Sequence, residues 1–396
     1  MDVVNFTRIL QIEKLIKLKS IFLLGPRWTG KSTLLKIQFP EALYIDLLDR
    51  STFRELTSKT KYFKQQIHAF VSRYNKKIIV VDEIQRFPEL LSEVHQLIEQ
   101  DKNIRFILTG SSARKLRRSG INLLAGRASW QNFFPITYAE VLINPNHLSL
   151  NQLIQYGGLP AVLTSSDPKR ELQDYVGLYL KEEVQAEGLS RKIENFSRFL
   201  DTVASTNGEQ VQFESIANDA QIPARTVRDY YQILEDTLVG YLLPCYQKTK
   251  TRKAMSSAKF YFFDIGVNHS LLGRDMISSK SPEYGRAIEH LVCLEIKAAL
   301  SYLRKEAQLY YWRSLSQFEV DFLIVPKNSS PIGIEVKAKE NVSNKDTRGL
   351  SALSEDIPNL KKIVVSLESK ERLLENKVEI IPLELFLKDL WSGKII

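Results

Sequence analysis

The chain has 396 residues, 44% of them hydrophobic, with 14 Pro and 17 Gly, enough apolar material for two or three domains with cores of their own. Lys and Arg number 55 against 46 Asp and Glu, and the resulting net charge of +9 favours polyanionic partners, DNA first, without requiring one. The charged N-terminus lacks a signal-peptide pattern and no apolar run approaches the ~18 residues of a spanning helix, so a cytoplasmic protein with no membrane association is expected. Cys245 and Cys293 stand far apart and outside any CxxC or Cys/His group, which argues against a zinc site or a disulfide framework.

Ser20 to Leu24 (SIFLL) reads as a buried strand that ends at Gly25, the start of GPRWTGKS, and STLLKIQF continues with helical spacing. That segment fits the GxxxxGK[ST] phosphate loop from Gly25 to Ser32, in the strand, loop and helix order that brings backbone N–H groups onto phosphates. Gly25, Pro26, Arg27, Trp28, Thr29, Gly30, Lys31, Ser32 and Thr33 are therefore the expected ATP-binding residues. The two glycines permit the turn, Lys31 supplies charge to the β- and γ-phosphates, and the Ser32 hydroxyl ligates magnesium. Taken alone the pattern also fits a glycine-containing turn before a surface helix.

A second motif decides between them. In KKIIVVDEIQ, Ile78 to Val81 form the continuous apolar run of a strand buried on both faces, ending in Asp82 and Glu83. Asp82 is expected to hold the magnesium with Ser32, and Glu83 to polarise the attacking water. A third strand, NIRFILTGSS, ends in Thr109, Gly110, Ser111 and Ser112, where a small hydroxyl can report on the γ-phosphate; Ser111 is the candidate.

The DEIQ and TGSS strand ends, followed by the Gly126–Arg127 pair in INLLAGRASW, resemble a subgroup of the AAA-type P-loop ATPases. The resemblance implies magnesium-dependent ATP hydrolysis and makes Arg127 the candidate cation for transition-state charge, in its own subunit or across to a neighbour in a homo-oligomer. A surface arginine in a turn remains the alternative. Arg114, Lys115, Arg117 and Arg118 could serve the same purpose or form a solvated loop. FFPITYAEVL, from Phe133, and the Gly157 to Pro160 tetrad also match the subgroup and are expected to close an ATPase domain with its lid, residues 1–168.

Residues 169–247 turn helical. FESIANDAQIPARTVRDYYQILEDTLVGYLL predicts a helix, a turn at Gln221 to Pro223, a second helix from near Ala224 and an apolar run from Val239, the outline of a winged helix-turn-helix. Arg225, Thr226 and Arg228 open the second helix, where groove contacts would lie, although Asp229, Glu235 and Asp236 on the same helix suit a protein partner equally. The following run holds Lys248, Lys250, Arg252, Lys253 and Lys259 with no acid between them, either a solvated loop or a phosphate-binding patch.

Residues 248–396 are expected to form an α/β domain. KFYFFDIGVNHSLLG and GRAIEHLVCLEIKAAL match the partner domain of uncharacterised function that accompanies this ATPase subgroup. Within it, Asp321 is followed after thirteen residues by Glu335 and Lys337, which strand alternation puts on one face. With Glu289 on the preceding helix these resemble the PD-(D/E)xK nuclease core, which implies a restriction-endonuclease-like fold and a second divalent metal site. Val320 stands where the motif often has proline. An ordinary half-exposed strand shows the same alternation, and the fold alone does not guarantee cleavage. Two whole-chain readings follow: an ATPase acting at DNA with a metal-dependent nuclease-like domain, or a nucleotide-controlled switch whose winged helix and silent nuclease-like domain bind DNA or protein.

Overall fold

The computed structural model describes residues 6–112, 116, 124, 126–144, 148–180, 193–249, 252 and 254–396. Arg114, Lys115, Arg117, Arg118, Lys250 and Lys253 lie outside the described residues. The protein is mixed α/β, with a wholly parallel sheet in one compact unit and a larger mixed sheet in the other.

The first unit comprises Phe6–Pro135 with Ile233–Val239. Its strands are β1 (Ser20–Leu24), β2 (Leu43–Asp46), β3 (Ile78–Asp82), β4 (Arg105–Gly110) and β5 (Ala128–Asn132), in the spatial order β2-β3-β4-β1-β5. All pairings are parallel, and β1, between β4 and β5, is buried along its whole length. That burial is why SIFLL and IIVVD are continuous apolar runs rather than alternating ones. Helix Leu90–Gln100 puts Leu90, Leu91, Val94, Leu97 and Ile98 into the core with Phe22, Phe63 and Phe106, the 3.6-residue spacing giving it one apolar stripe.

The second unit contains Ile136–Gln232 and Gly240–Ile396. Residues 136–168, expected with the ATPase domain, thus pack with the C-terminal part of the chain. The contacts responsible are long-range. Asp264 caps helix Ile265–Leu271 by accepting from the Val267 N–H at 3.0 Å, and it also accepts from the Gly158 N–H at 2.7 Å. A Cβ at Gly157 would strike the Asp264 carboxyl, and one at Gly266 would strike the Tyr156 carbonyl. YGGLP and FFDIG are therefore two halves of one close backbone contact.

Helices Ile193–Ser205, Phe213–Ala220 and Ala224–Asp236 follow, the last two separated by a turn whose Gln221 has φ 55°. Phe196, Phe199, Tyr230 and Tyr231 interlock between them through edge and tilted ring contacts. Strands β6 (Gly240–Leu243) and β7 (Lys259–Phe262) form an antiparallel pair. Beyond them, β8 (Ala307–Arg313), β9 (Glu319–Pro326), β10 (Ile332–Lys337), β11 (Lys361–Ser366), β12 (Arg372–Leu373) and β13 (Val378–Pro382) form a sheet ordered β12-β13-β11-β10-β9-β8. Strands β8 to β10 run antiparallel, and β10, β11 and β13 run parallel.

The long helix Pro282–Tyr302 starts with Pro282 in its first turn, after the Ser281 cap, and buries Glu295. The Glu295 carboxyl accepts from the Tyr138 N–H at 2.8 Å and from the Trp391 indole at 2.6 Å. Burial pushes it up to about 8, against the pull of those two donors and with a further push from Glu140. A carboxyl raised in the folded state contributes stability that is complete below its ordinary value and is lost as pH rises through the folded one. Thermal unfolding should therefore show Tm falling as the pH rises from the ordinary carboxylate range to about 8 and levelling off above it, and Glu295→Gln should flatten that fall; an unchanged slope in the variant would assign the pH dependence elsewhere.

Candidate functional site

The parallel sheet delivers its strand ends to one edge. Gly25 follows β1 and donates its N–H to the Gly110 carbonyl at the end of β4, 3.1 Å away. A Cβ at Gly25 would run into the Phe133 carbonyl, so only glycine fits where the phosphate loop leaves the sheet. Gly30, with φ 91°, is the left-handed residue from which helix Lys31–Gln38 begins. The Thr29 hydroxyl donates to the Pro26 carbonyl at 2.8 Å, and the buried Lys31 ammonium donates to the carbonyls of Gly25 (2.6 Å) and Pro26 (2.9 Å).

The two candidate magnesium ligands meet: the Ser32 hydroxyl donates to the Asp82 carboxylate at 2.7 Å. Thr109 donates to the other oxygen of Asp82 and accepts from the Glu83 N–H at 3.2 Å. Glu83, with φ 58° and almost fully buried, is held by the Gln85 side-chain amide, which also donates to Ser111 at 3.1 Å. Tyr44 stands near enough to Asp82 that its phenol, raised mainly by burial and further by that carboxylate, lies at about 12. The sequence reading missed Thr109 and Gln85 as positioning residues, although both stand inside the quoted DEIQ and TGSS motifs. It also missed Arg8, whose guanidinium donates to the carbonyls of Thr29 (2.8 Å) and Phe134 (2.7 Å) and lies 4.3 Å over the Phe133 ring. No local pattern around Arg8 marks it.

Arg127 is not brought to this edge. Ser20 pairs with Ala128 and Leu24 with Asn132, so Arg127 stands level with Lys19 at the amino edge of the sheet, and Lys19 donates to the Gly126 carbonyl at 3.5 Å. Six residues of strand separate that level from Gly25, roughly 20 Å at 3.3 Å per residue, beyond the reach of an arginine side chain. Arg127 instead pairs with Glu99, whose carboxyl its hydrogen bond lowers. This position puts Arg127 out of reach of the phosphate loop of its own subunit and leaves two readings, the inter-subunit role and the surface arginine in a turn.

In the second unit, Arg225 and Arg228 are exposed at the start of their helix; Arg228 pairs with Glu214 at 3.3 Å and lies over the Phe213 ring. The expected cation run is not a single patch. Lys248 is exposed, but Arg252 pairs with Glu355 at 2.5 Å and Lys259 is buried. The Lys259 ammonium lies 2.7 Å from Glu319, 3.3 Å from Glu289 and 3.9 Å from Asp321, and Tyr261 donates to Glu289 at 2.7 Å. Burial alone would lower Lys259, but Glu289, Asp321 and Glu319 together raise it. Asp321 also accepts from the Val336 N–H at 2.8 Å and, mainly through burial and then Glu289, sits at about 6. Glu335 pairs with Lys337 at 2.6 Å. The fold thus gathers Glu289 and Asp321 around Lys259, which line a cavity of about 360 Å³ with Glu319, Arg286 and Arg313, while Glu335 and Lys337 pair beside them on β10. Among the described residues no group of three or more His, Cys, Asp and Glu side chains is arranged to hold a metal ion, and no helix is long and apolar enough to cross a membrane.

Comparison with known proteins assigns three segments. Residues 17–142 match a family described as AAA domain, and residues 147–278 and 284–386 match two domains of unknown function, DUF8612 and DUF4143. Uncharacterised proteins of Mycobacterium bovis and Mycobacterium tuberculosis are each 27% identical over 66% of this chain and 58% of their own length. The chain thus spans little more than half of these relatives. An uncharacterised protein of Methanocaldococcus jannaschii is 24% identical over 94% of this chain and 85% of its own. Among solved structures, the replication initiator DnaA bound to AMPPCP and single-stranded DNA superposes with a TM-score of 0.28 at 14% identity, covering 59% of this chain and 89% of that one. A Thermococcus gammatolerans assembly of McrB AAA+ hexamers with bound McrC gives 0.27 at 10% identity, over 68% and 80%. With the parallel sheet, the phosphate loop and the Ser32–Asp82 contact in place, the first unit holds a P-loop AAA-type core.

Proposed function

We propose that this protein is a magnesium-dependent ATPase that works as a homo-oligomer at DNA. The observation that carries the proposal is the Ser32–Asp82–Thr109 chain of hydroxyl and carboxylate, set at the sheet edge where the phosphate loop begins. Ser32 and Asp82 would hold magnesium, which when bound neutralises charge between the phosphates. The other residues then have defined tasks. Loop N–H groups and the start of helix Lys31–Gln38 cradle phosphate oxygens, Lys31 exchanges its carbonyl partners for them, and Glu83 orients and deprotonates water. Gln85 and Ser111 fix the Glu83 rotamer, so the base does not have to be ordered at the moment of reaction. Arg127, at the opposite edge, would complete the site of a neighbouring subunit.

For DNA, the support is the net charge of +9 and the exposed Arg225 and Arg228 at the start of the second helix of a winged-helix-like segment. The position of Lys259 among its carboxylates favours the second whole-chain reading for the C-terminal sheet, in which nucleotide state controls a binding module rather than a cleaving one.

Glu83→Gln should reduce ATP turnover by a factor of about 100 or more while nucleotide still binds, and Lys31→Ala should weaken binding itself; turnover surviving in Glu83→Gln would remove Glu83 as the base. Arg127→Ala should lose turnover by about 1000-fold or more. Mixing it with Glu83→Gln should restore activity, because each inactive subunit supplies what the other lacks, and failure of the mixture to recover would rule out the inter-subunit role. Fluorescence anisotropy with duplex DNA should give an affinity that drops steeply with added salt and weakens in Arg225→Ala. Absence of binding at low salt would redirect the module to a protein partner.

A further inference from the structure

We infer that Lys259 takes the place of a metal ion in the C-terminal carboxylate cluster, so that this nuclease-like site is neutralised by the chain's own cation and holds no divalent metal.

The acids expected to ligate metal are present and close, yet each is already engaged. Glu289 accepts from Tyr261 and faces the Lys259 ammonium at 3.3 Å. Asp321 has one oxygen on the Val336 N–H and the other 3.9 Å from the same ammonium. Glu335 uses one oxygen for Lys337, and the other is a buried atom without a hydrogen-bond partner. Magnesium keeps several of its six oxygen ligands as waters and needs only one or two carboxylates, so what opposes it here is the ammonium already seated 3.3 Å from Glu289 and 3.9 Å from Asp321.

Charge leads to the same conclusion. Glu289, Glu319, Asp321 and Glu335 face three cations, Lys259, Lys337 and Arg313, the last 3.4 Å from Glu319, so at most one negative charge is left over. A metal bound to Glu289 and Asp321 would lie within a few ångströms of a positive charge in a buried setting, where like charges repel strongly. Lys259 cannot easily leave, since its side chain is 5% exposed, its ammonium sits 5.5 Å over the Tyr311 ring, and its backbone is fixed in β7 against β6. A buried ammonium surrounded by carboxylates is stable only as a set, because removing the cation would leave the acids uncompensated. Lys259 is therefore built in, and the cavity beside it is a mixed-charge pocket.

The test is manganese(II) binding to the full chain without nucleotide, followed by electron paramagnetic resonance. The wild type and Asp321→Asn should bind the same number of ions, since any ion at Ser32 and Asp82 is common to both and the ATPase reading does not enter. Lys259→Met, which keeps the stem and removes the charge, should gain one ion per chain, and adding Asp321→Asn should abolish that gain. Loss of one ion in Asp321→Asn alone would overturn the proposal even if Lys259→Met did not fold. So would a natively folded Lys259→Met that gained none.

Discussion

Parallel pairing forces every strand of a sheet to begin on one edge and finish on the other, and the chemistry of the first unit depends on that constraint. Because β1 lies between β4 and β5 in fixed register, the chain after Leu24, Asp82 and Gly110 emerges on the same side. Residues separated by 50 and 27 positions in sequence then meet as the Ser32–Asp82–Thr109 contact. The close approach at Gly25 and the straps from Arg8 tie the loop to the end of β5. Hydrophobic burial of the strands supplies the energy for an arrangement whose polar edge could not hold itself together.

The same register explains which parts of the site sequence could show. Gly25 to Ser32, Asp82 and Glu83 were legible because each has a local task and sits next to an apolar run that names its strand. Arg127 was legible as a residue but not as a place, since its position depends on the pairing of Ser20 with Ala128. Nothing near Arg127 in the sequence states that pairing.

The second unit was less legible for a related reason. Its determining contacts join distant segments: Gly158 to Asp264, Tyr138 to Glu295, Lys259 to Glu289 and Glu319. Lys259 stood in a run of cations, and composition favoured a surface patch. Only the pairing of β7 with β6 and the acids that surround it show a buried counter-ion. The order of Glu289, Asp321, Glu335 and Lys337 along the chain does not reveal which cation the acids enclose.

The placement of Arg127 also restricts the symmetry open to an assembly built through it. A contact that joins the amino edge of one sheet to the carboxyl edge of another can be made reciprocally in a two-fold dimer only if the two sheets lie antiparallel, each presenting both edges to the other; with the sheets in any other orientation it is heterologous. In the heterologous case the contact repeats from subunit to subunit until the rotation closes a ring, or continues as a filament where it does not.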